Sequence, residues 1–377
     1  MQILKYTKKG SNKYELTLKD NTKLTLYTDL ILKYDLLIKK KIDSNILEVI
    51  TSDNLKLDCY YKALKYLKNI KCTKDIKNYL KDYPLSIREY TITRLTKEGY
   101  LNDNKYAGLI DLVLEKQGDV VVSPRKYFNG VFKLSPKMEL DVERIPAYFL
   151  MQLGGGIVEG ERYNINVELK ENVRAIVTTQ AASKVYKCEN SYESFQETTL
   201  KLEENSILEY ITDPVILYKD AVYRQENNIY MTKSSTLIYT DGITSGWSPD
   251  KKRFQYEKAK LKTNIYMDGV PVLLDNMLIN PREDDIDGLG FMEGYKNFAT
   301  LIILDDRIDK NIIEHLREEI LKLNLDINFG ITGLEVNGFV LRVIGNLTQD
   351  LEEVVGLCHN YIRRKVLNSQ NLTIRKL

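Results

Sequence analysis

The sequence predicts an α+β protein, with a β-hairpin and a small helical module over residues 1–107 and a mostly-β domain of stacked or wound sheets over 108–377 that closes with two helices. Three observations carry this. Apolar and polar residues alternate on both sides of a turn near the N-terminus. From Gly108 the period becomes two and holds to about residue 279. Two amphipathic stripes then follow near the C-terminus.

In the front segment, Tyr14–Leu18 and Lys23–Tyr27 alternate around Asp20-Asn21, the pattern of a β-hairpin. Helical spacing follows. Tyr61, Leu64, Lys65 and Leu67 share one face. Thr73 or Lys74 opens a second helix through Ile76, Tyr79 and Leu80, and Ile87, Tyr90, Thr91 and Leu95 continue a third up to Gly99, with Pro84 between the last two. In the rear segment, strands are expected at 109–115, 119–123, 130–134, 147–152, 163–169, 174–180, 194–201, 206–211, 222–231, 235–240, 252–267 and 271–279, punctuated by Gly, Asn, Asp and Pro. So many short strands in series imply a stacked or wound antiparallel sheet. Asp309 is placed to cap a helix with Ile312, Ile313, Leu316, Ile320 and Leu323 inward, and Thr348 to begin another with Leu351, Val354, Val355, Cys358 and Ile362 inward. The change from helix to strand at 107/108 has no Pro- or Ser-rich linker, which implies abutted modules.

Composition narrows the function. The net charge of +2 conceals an asymmetry: residues 1–107 hold 22 basic and 13 acidic groups, net +9, and the remainder holds 33 and 40, net −7. A basic front segment suits weak, nonspecific nucleic-acid binding or a solvated lysine surface. Cys59, Cys72, Cys188 and Cys358 lack metal or redox spacing, no signal-peptide pattern opens the chain, and no apolar run reaches the ~20 residues of a membrane span, so a cytoplasmic protein is expected. Only two histidines occur, His315 and His359, and neither has a His or Cys at helical chelating spacing. Beside the core position Cys358, His359 is expected at the surface. No catalytic apparatus and no tight metal site is expected.

The most informative run is Gly154-Gly155-Gly156-Ile157-Val158-Glu159-Gly160-Glu161-Arg162, followed by Thr178-Thr179-Gln180-Ala181-Ala182-Ser183-Lys184-Val185-Tyr186. Consecutive glycines let backbone pass where a Cβ would clash. The run is not a dinucleotide fingerprint, because no βαβ unit surrounds it and a polar strand follows. Together with Leu208–Ile216, Ala221–Gln225, Leu237–Pro249, Phe254–Tyr256, Asp275-Asn276, Met292–Tyr295 and Gly338–Val343, these runs resemble the urease accessory protein UreD (UreH) family over 108–377. Gly154, Gly155, Gly156, Gly160, Thr179, Gln180, Lys184 and Tyr186 carry the family motif. Glu161 stands where many relatives have aspartate.

That resemblance implies a non-enzymatic chaperone and scaffold that binds apo-urease and UreF, which in turn carries the GTPase UreG and its nickel. It also implies a water-filled passage for transient Ni²⁺ transfer, with no cofactor tightly bound. Labile transit needs scattered oxygen donors, since a full set of thiolate or imidazole ligands would trap the ion. By motif, Glu161, Ser183, Asp241 and Asp275 match positions associated with the passage. Each also has a structural use: a turn cap, a backbone partner, a turn initiator before Gly242 and a strand end, respectively.

In front, Ala63–Leu67, Lys77–Leu80 and Arg94–Asp103 resemble the start of RecX, the regulator of the recombinase RecA, over the hairpin and one three-helix repeat. The family's further repeats are missing after Lys105-Tyr106-Ala107. A truncated RecX-like module fused to a UreD-like domain is the implied organisation, with RecA regulation through the front segment as the alternative function.

Overall fold

The computed structural model describes residues 1–10, 12–66, 73–98, 106–140 and 143–374. The chain divides into two compact units, Met1–Lys105 and Tyr106–Leu377.

The front unit starts with an antiparallel sheet of β1 (Ile3–Lys8), β2 (Lys13–Leu18) and β3 (Lys23–Tyr27), one strand more than the hairpin. The short helices α1 (Thr28–Lys33) and α2 (Leu36–Lys39) follow, then α3 (Ser44–Tyr66), α4 (Thr73–Tyr79) and α5 (Leu85–Lys97). Leu16, Leu18 and Leu26 of the sheet pack with Leu30, Ile31, Leu36 and Ile50, while Cys59, Ala63, Ile76, Leu80, Ile87 and Leu95 form a second core. The Asp58 carboxylate ties the pieces together, accepting from Lys13 Nζ (2.8 Å), Tyr27 OH (2.8 Å) and Tyr83 OH (2.6 Å). The most deeply buried residues of α3 are Ile50, Cys59, Tyr60 and Ala63; of the face expected, Tyr61 and Leu64 pack half-buried against the second core and Lys65 is exposed. Tyrosine is amphipathic, so Tyr60 and Tyr61 fit either side and spacing over one turn could not choose. Leu67, Cys72 and Gly99–Asp103 of the RecX-like text lie outside the described residues.

The rear unit is mostly β. It contains β4 (Gly108–Gln117), β5 (Val120–Gly130), β6 (Phe132–Leu134), β7 (Met138–Glu139), β8 (Pro146–Gln152), β9 (Arg162–Leu169), β10 (Arg174–Thr179), β11 (Lys184–Val185), β12 (Ser194–Leu202), β13 (Ile207–Ile211), β14 (Ile216–Leu217), β15 (Val222–Met231), β16 (Thr236–Thr244), β17 (Lys258–Met267), β18 (Val270–Ile279) and β19 (Asn297–Leu304), then α6 (Lys310–Lys322), β20 (Ile327–Gly333), β21 (Gly338–Gly345) and α7 (Thr348–Lys365). The long strands from β8 to β17 alternate between two large sheets, ordered β18-β17-β15-β12-β9-β4-β5 and β20-β21-β19-β16-β13-β10-β8-β6, with β7 pairing β8 and with β11 and β14 in a short third sheet.

The centre is therefore a solenoid, and its pairing is parallel. β12 pairs in parallel with both β9 and β15, and β13 with both β10 and β16; antiparallel pairs flank this parallel core. The expected antiparallel sheet is thus corrected. Period-two alternation reports which face is buried and not strand direction; each coil crosses to the other sheet before returning, so the chain comes back in the same sense.

The outer face of the second sheet presents Ile238, Leu301, Ile303, Phe339 and Leu341 to Leu316 and Ile320 of α6 and to Val354, Cys358 and Ile362 of α7. Asp309 caps α6, its carboxylate accepting from Ile312 N at 2.9 Å. Among the described residues no helix is long and apolar enough to cross a membrane.

Candidate functional site

In-register stacking sorts the solenoid interior into an apolar half and a polar half. On the first sheet, Val167, Leu200, Ile229 and Ile265 stack in one row and Leu169, Leu202, Met231 and Met267 in another. Nearer the strand starts the rows read Tyr163, Gln196, Gln225, Leu261 and Ile165, Thr198, Asn227, Thr263. On the facing sheet, Tyr210 and Tyr239 are register partners, and Asp241 lies two residues further along β16. Gln225, Asn227 and Thr263 are buried. A buried amide or hydroxyl needs a partner, and here the partners are one another and Asp241.

Asp241 is the centre of this half. Its Oδ2 accepts from Gln225 Nε2 (2.8 Å), Tyr239 OH (3.2 Å) and Asn227 Nδ2 (3.4 Å), and its Oδ1 accepts from Gly242 N (2.8 Å). Burial raises its carboxyl to about 6 against the pull of those hydrogen bonds, and the nearby Asp275 charge adds to the rise. All its donors are neutral, and burial holds the Tyr239 phenol well above its ordinary value, so the hydroxyl stays protonated.

Asp241 also borders more than one hollow. With Ser183, Gln152, Gln196, Thr198 and Gln225 it lines a cavity of about 50 Å³ inside the solenoid. With Thr263, Asp275 and Thr300 it lines a second of about 20 Å³. Asp275 in turn borders an outer hollow of about 490 Å³ between β18, β20, β21 and the loop at Gly290–Glu293. There its Oδ1 accepts from Arg342 Nη2 at 2.7 Å. Asp241 also reaches a hollow of about 520 Å³ beside α7.

The structure thus brings Ser183 and Asp241 together on one cavity and Asp241 and Asp275 on the next. Glu161 lines none of these four hollows; its carboxylate accepts from the Tyr163 hydroxyl and its backbone oxygen pairs with Phe195 N. The glycine run has a packing reason. A Cβ on Gly156 would lie 2.6 Å from Lys184 O and 2.9 Å from the Tyr186 ring, and Gly155 has φ +88° with the Tyr186 hydroxyl above it, donating to Gly155 O at 3.1 Å. Gly154 and Gly160 also have positive φ. Thr179 Oγ1 donates to Asp213 Oδ2 at 2.8 Å and accepts from Asp213 N at 2.9 Å. Gln180 and Lys184 are exposed, their backbones bonded to Leu150 O and Ile157 N.

A fully buried carboxylate, Glu209, lies on the opposite face of the same sheet. Glu209 accepts from Arg363 Nη1 (2.6 and 2.8 Å), Arg174 Nη2 (2.8 Å) and His359 (2.7 Å). His359 is buried, which corrects its expected surface position: α7 turns it toward Glu209, where the ionised carboxylate accepts its Nε2–H. Burial pushes the Glu209 carboxyl up, but the His359 hydrogen bond and the cations around it bring it down to about 2. Among the described residues, no three His, Cys, Asp or Glu side chains converge as metal ligands.

The polar interior rows and this ion cluster went unread in the sequence. In Val222–Met231 polar residues occupy both parities, so alternation alone could not show that Gln225 and Asn227 point inward.

Residues 107–376 match the family described as UreD urease accessory protein. The chain is 36% identical over 271 residues to the urease accessory protein UreD of Streptococcus thermophilus (strain CNRZ 1066), covering 72% of this chain and 97% of that protein. To the UreD of Bacillus cereus (strain ATCC 10987 / NRS 248) it is 33% identical over 269 residues, 71% and 98% of the two chains. To the UreD of Ureaplasma parvum serovar 3 (strain ATCC 27815 / 27 / NCTC 11736) it is 37% identical over 254 residues, 66% and 88%.

Proposed function

This chain belongs to the UreD urease accessory protein family, and on that premise we propose that it is a non-catalytic chaperone of urease maturation, acting with UreF and UreG to pass Ni²⁺ into apo-urease. The observation that supports transit is the row of hollows joined through Asp241 and Asp275. In the 20 Å³ cavity there is room for about one water-sized sphere, so a fully hydrated cation would exchange most of its waters for protein oxygens there. Asp241, Thr263, Asp275 and Thr300 offer such oxygens, all of them weak and replaceable. Asp241 supplies the charge. At neutral pH it is ionised, enclosed and held by neutral donors, so it attracts a cation without being neutralised beforehand.

The test is in vitro activation of apo-urease with UreF, UreG and nickel, alongside a pull-down of each variant. Replacing Asp241 and Asp275 together by Ala is expected to lower activation and urease-bound nickel while leaving the complexes intact, with single replacements milder because water and neighbouring oxygens fill one missing ligand. Glu161→Ala, away from the cavities, is expected to activate normally. Full activation by the double variant would exclude the passage, and loss of the complex would return both residues to a structural role.

A second reading rests on the +9 charge of residues 1–107. It is a weak electrostatic association of the front unit with nucleic acid, tested by salt titration. A salt-resistant association dependent on RecA would instead support the RecX-like regulator.

A further inference from the structure

We propose that Arg342 is an electrostatic latch on the mouth of this passage, holding Asp275 in an ion pair so that divalent cations in the outer hollow stay out until a competing acidic group draws the guanidinium away. The inference rests on the passage reading above and assigns it a controlled entrance.

Asp275 lies on β18, the margin strand of the first sheet, and Arg342 on β21 of the second, so their 2.7 Å contact joins the two sheets at a residue that borders both the outer hollow and an inner cavity. Asp275 borders both the 490 Å³ hollow and the 20 Å³ cavity, whereas Arg342 borders only the former. A cation arriving from outside therefore meets a carboxylate already neutralised and a fixed positive charge beside it. The other carboxylate of the hollow, Glu293, is engaged by Asn328 Nδ2 (2.8 Å) and Gly290 N (3.1 Å), which leaves Asp275 as the acidic group at the junction. Guanidinium keeps its charge at every physiological pH, so the latch does not open by deprotonation. It is also easily displaced, because the Arg342 side chain is 52% exposed and ion pairs so exposed hold weakly.

Nickel chloride titrated into the full chain at pH 7.5, read by equilibrium dialysis, tests the latch. Arg342→Gln is expected to bind nickel about tenfold more tightly than wild type, the effect of removing one unit charge a few ångströms from a divalent ion in largely aqueous surroundings. Arg342→Lys should stay near wild type, and the gain should vanish in Asp275→Asn, Arg342→Gln. If Arg342→Gln does not fold, Arg342→Met, which keeps an apolar stem, is read the same way. No gain on removing the charge, or a gain that survives loss of the Asp275 carboxylate, would overturn the proposal. Failure of the passage itself shows separately, as unimpaired urease activation when Asp241 and Asp275 are both replaced.

Discussion

Replacing Asp241 by Asn should make the protein more stable and less useful. Folding raises this carboxyl from 3.8 to about 6, so between those values the folded state keeps a proton that the unfolded chain releases. Wild-type stability therefore falls as pH rises through about 4 to 6. Above that window the folded state carries an ionisation penalty of about 3 kcal/mol, at roughly 1.4 kcal/mol per unit. Asparagine removes the penalty but loses a hydrogen bond: with its oxygen toward Gln225 and Tyr239, its amide faces Gly242 N, donor against donor, at a cost of about 1 kcal/mol. The expected net gain is about 2 kcal/mol at pH 8, with a loss of about 1 kcal/mol at pH 4. Trp247, the single tryptophan, lies in the rear unit and reports its urea unfolding by fluorescence. The same variant should activate urease less well. Equal stability changes at both pH values, or destabilisation at pH 8, would refute the reasoning, because either would mean that the charge is not buried among neutral donors.

Glu209→Gln should lose about 3–5 kcal/mol at pH 7 by leaving Arg363 and Arg174 without their carboxylate, seen as a lower urea midpoint. In wild type, the contribution of Glu209 should fade in acid as pH falls from about 4.5 toward 2, visible in pH-dependent thermal unfolding. Gly156→Ala should cost roughly 1–3 kcal/mol or prevent folding, since its Cβ meets backbone at Lys184 O, whereas Tyr186→Phe should cost only about 1 kcal/mol for the bond to Gly155 O; chemical denaturation compares them. DNA binding by the full chain, measured by fluorescence anisotropy, should be insensitive to sequence and vanish as salt rises.

Where a strand sits was legible because burial imposes its period. The expected strand at 222–231 coincides with β15 and that at 271–279 with most of β18, and the stripe led by Asp309 is α6. Direction was not legible, since parallel and antiparallel neighbours bury the same parity. β19, β20 and β21 went unread; in β19 the run Leu301–Leu304 is apolar and buried without a break, so it has no alternation to detect. The site was partly legible. Ser183, Asp241 and Asp275 share cavities, but what joins them, Thr263 and the Gln225/Asn227 pair, depends on register between coils that no local pattern encodes. Glu161 borders none of the four hollows described above.

Two carboxylates of the second sheet, the fully buried Glu209 and the half-buried Asp241, show what sets Asp241 apart. Glu209 and Asp241 lie on adjacent strands, β13 and β16, on opposite faces of one sheet. Both are withdrawn from bulk water, Glu209 wholly and Asp241 in part, yet their carboxyls move in opposite directions, to about 2 and about 6. The difference is in the partners. Glu209 is neutralised by two guanidinium groups and hydrogen-bonded by a histidine, so its charge is already matched and a further cation there would gain little. Asp241 receives dipoles from two side-chain amides, a phenol and a backbone N–H, which orient toward its charge without cancelling it. A buried negative charge left uncompensated costs stability at neutral pH, and a visiting cation lowers that cost. Had the fold needed only a hydrogen-bond acceptor at this position, an asparagine would have served at lower cost.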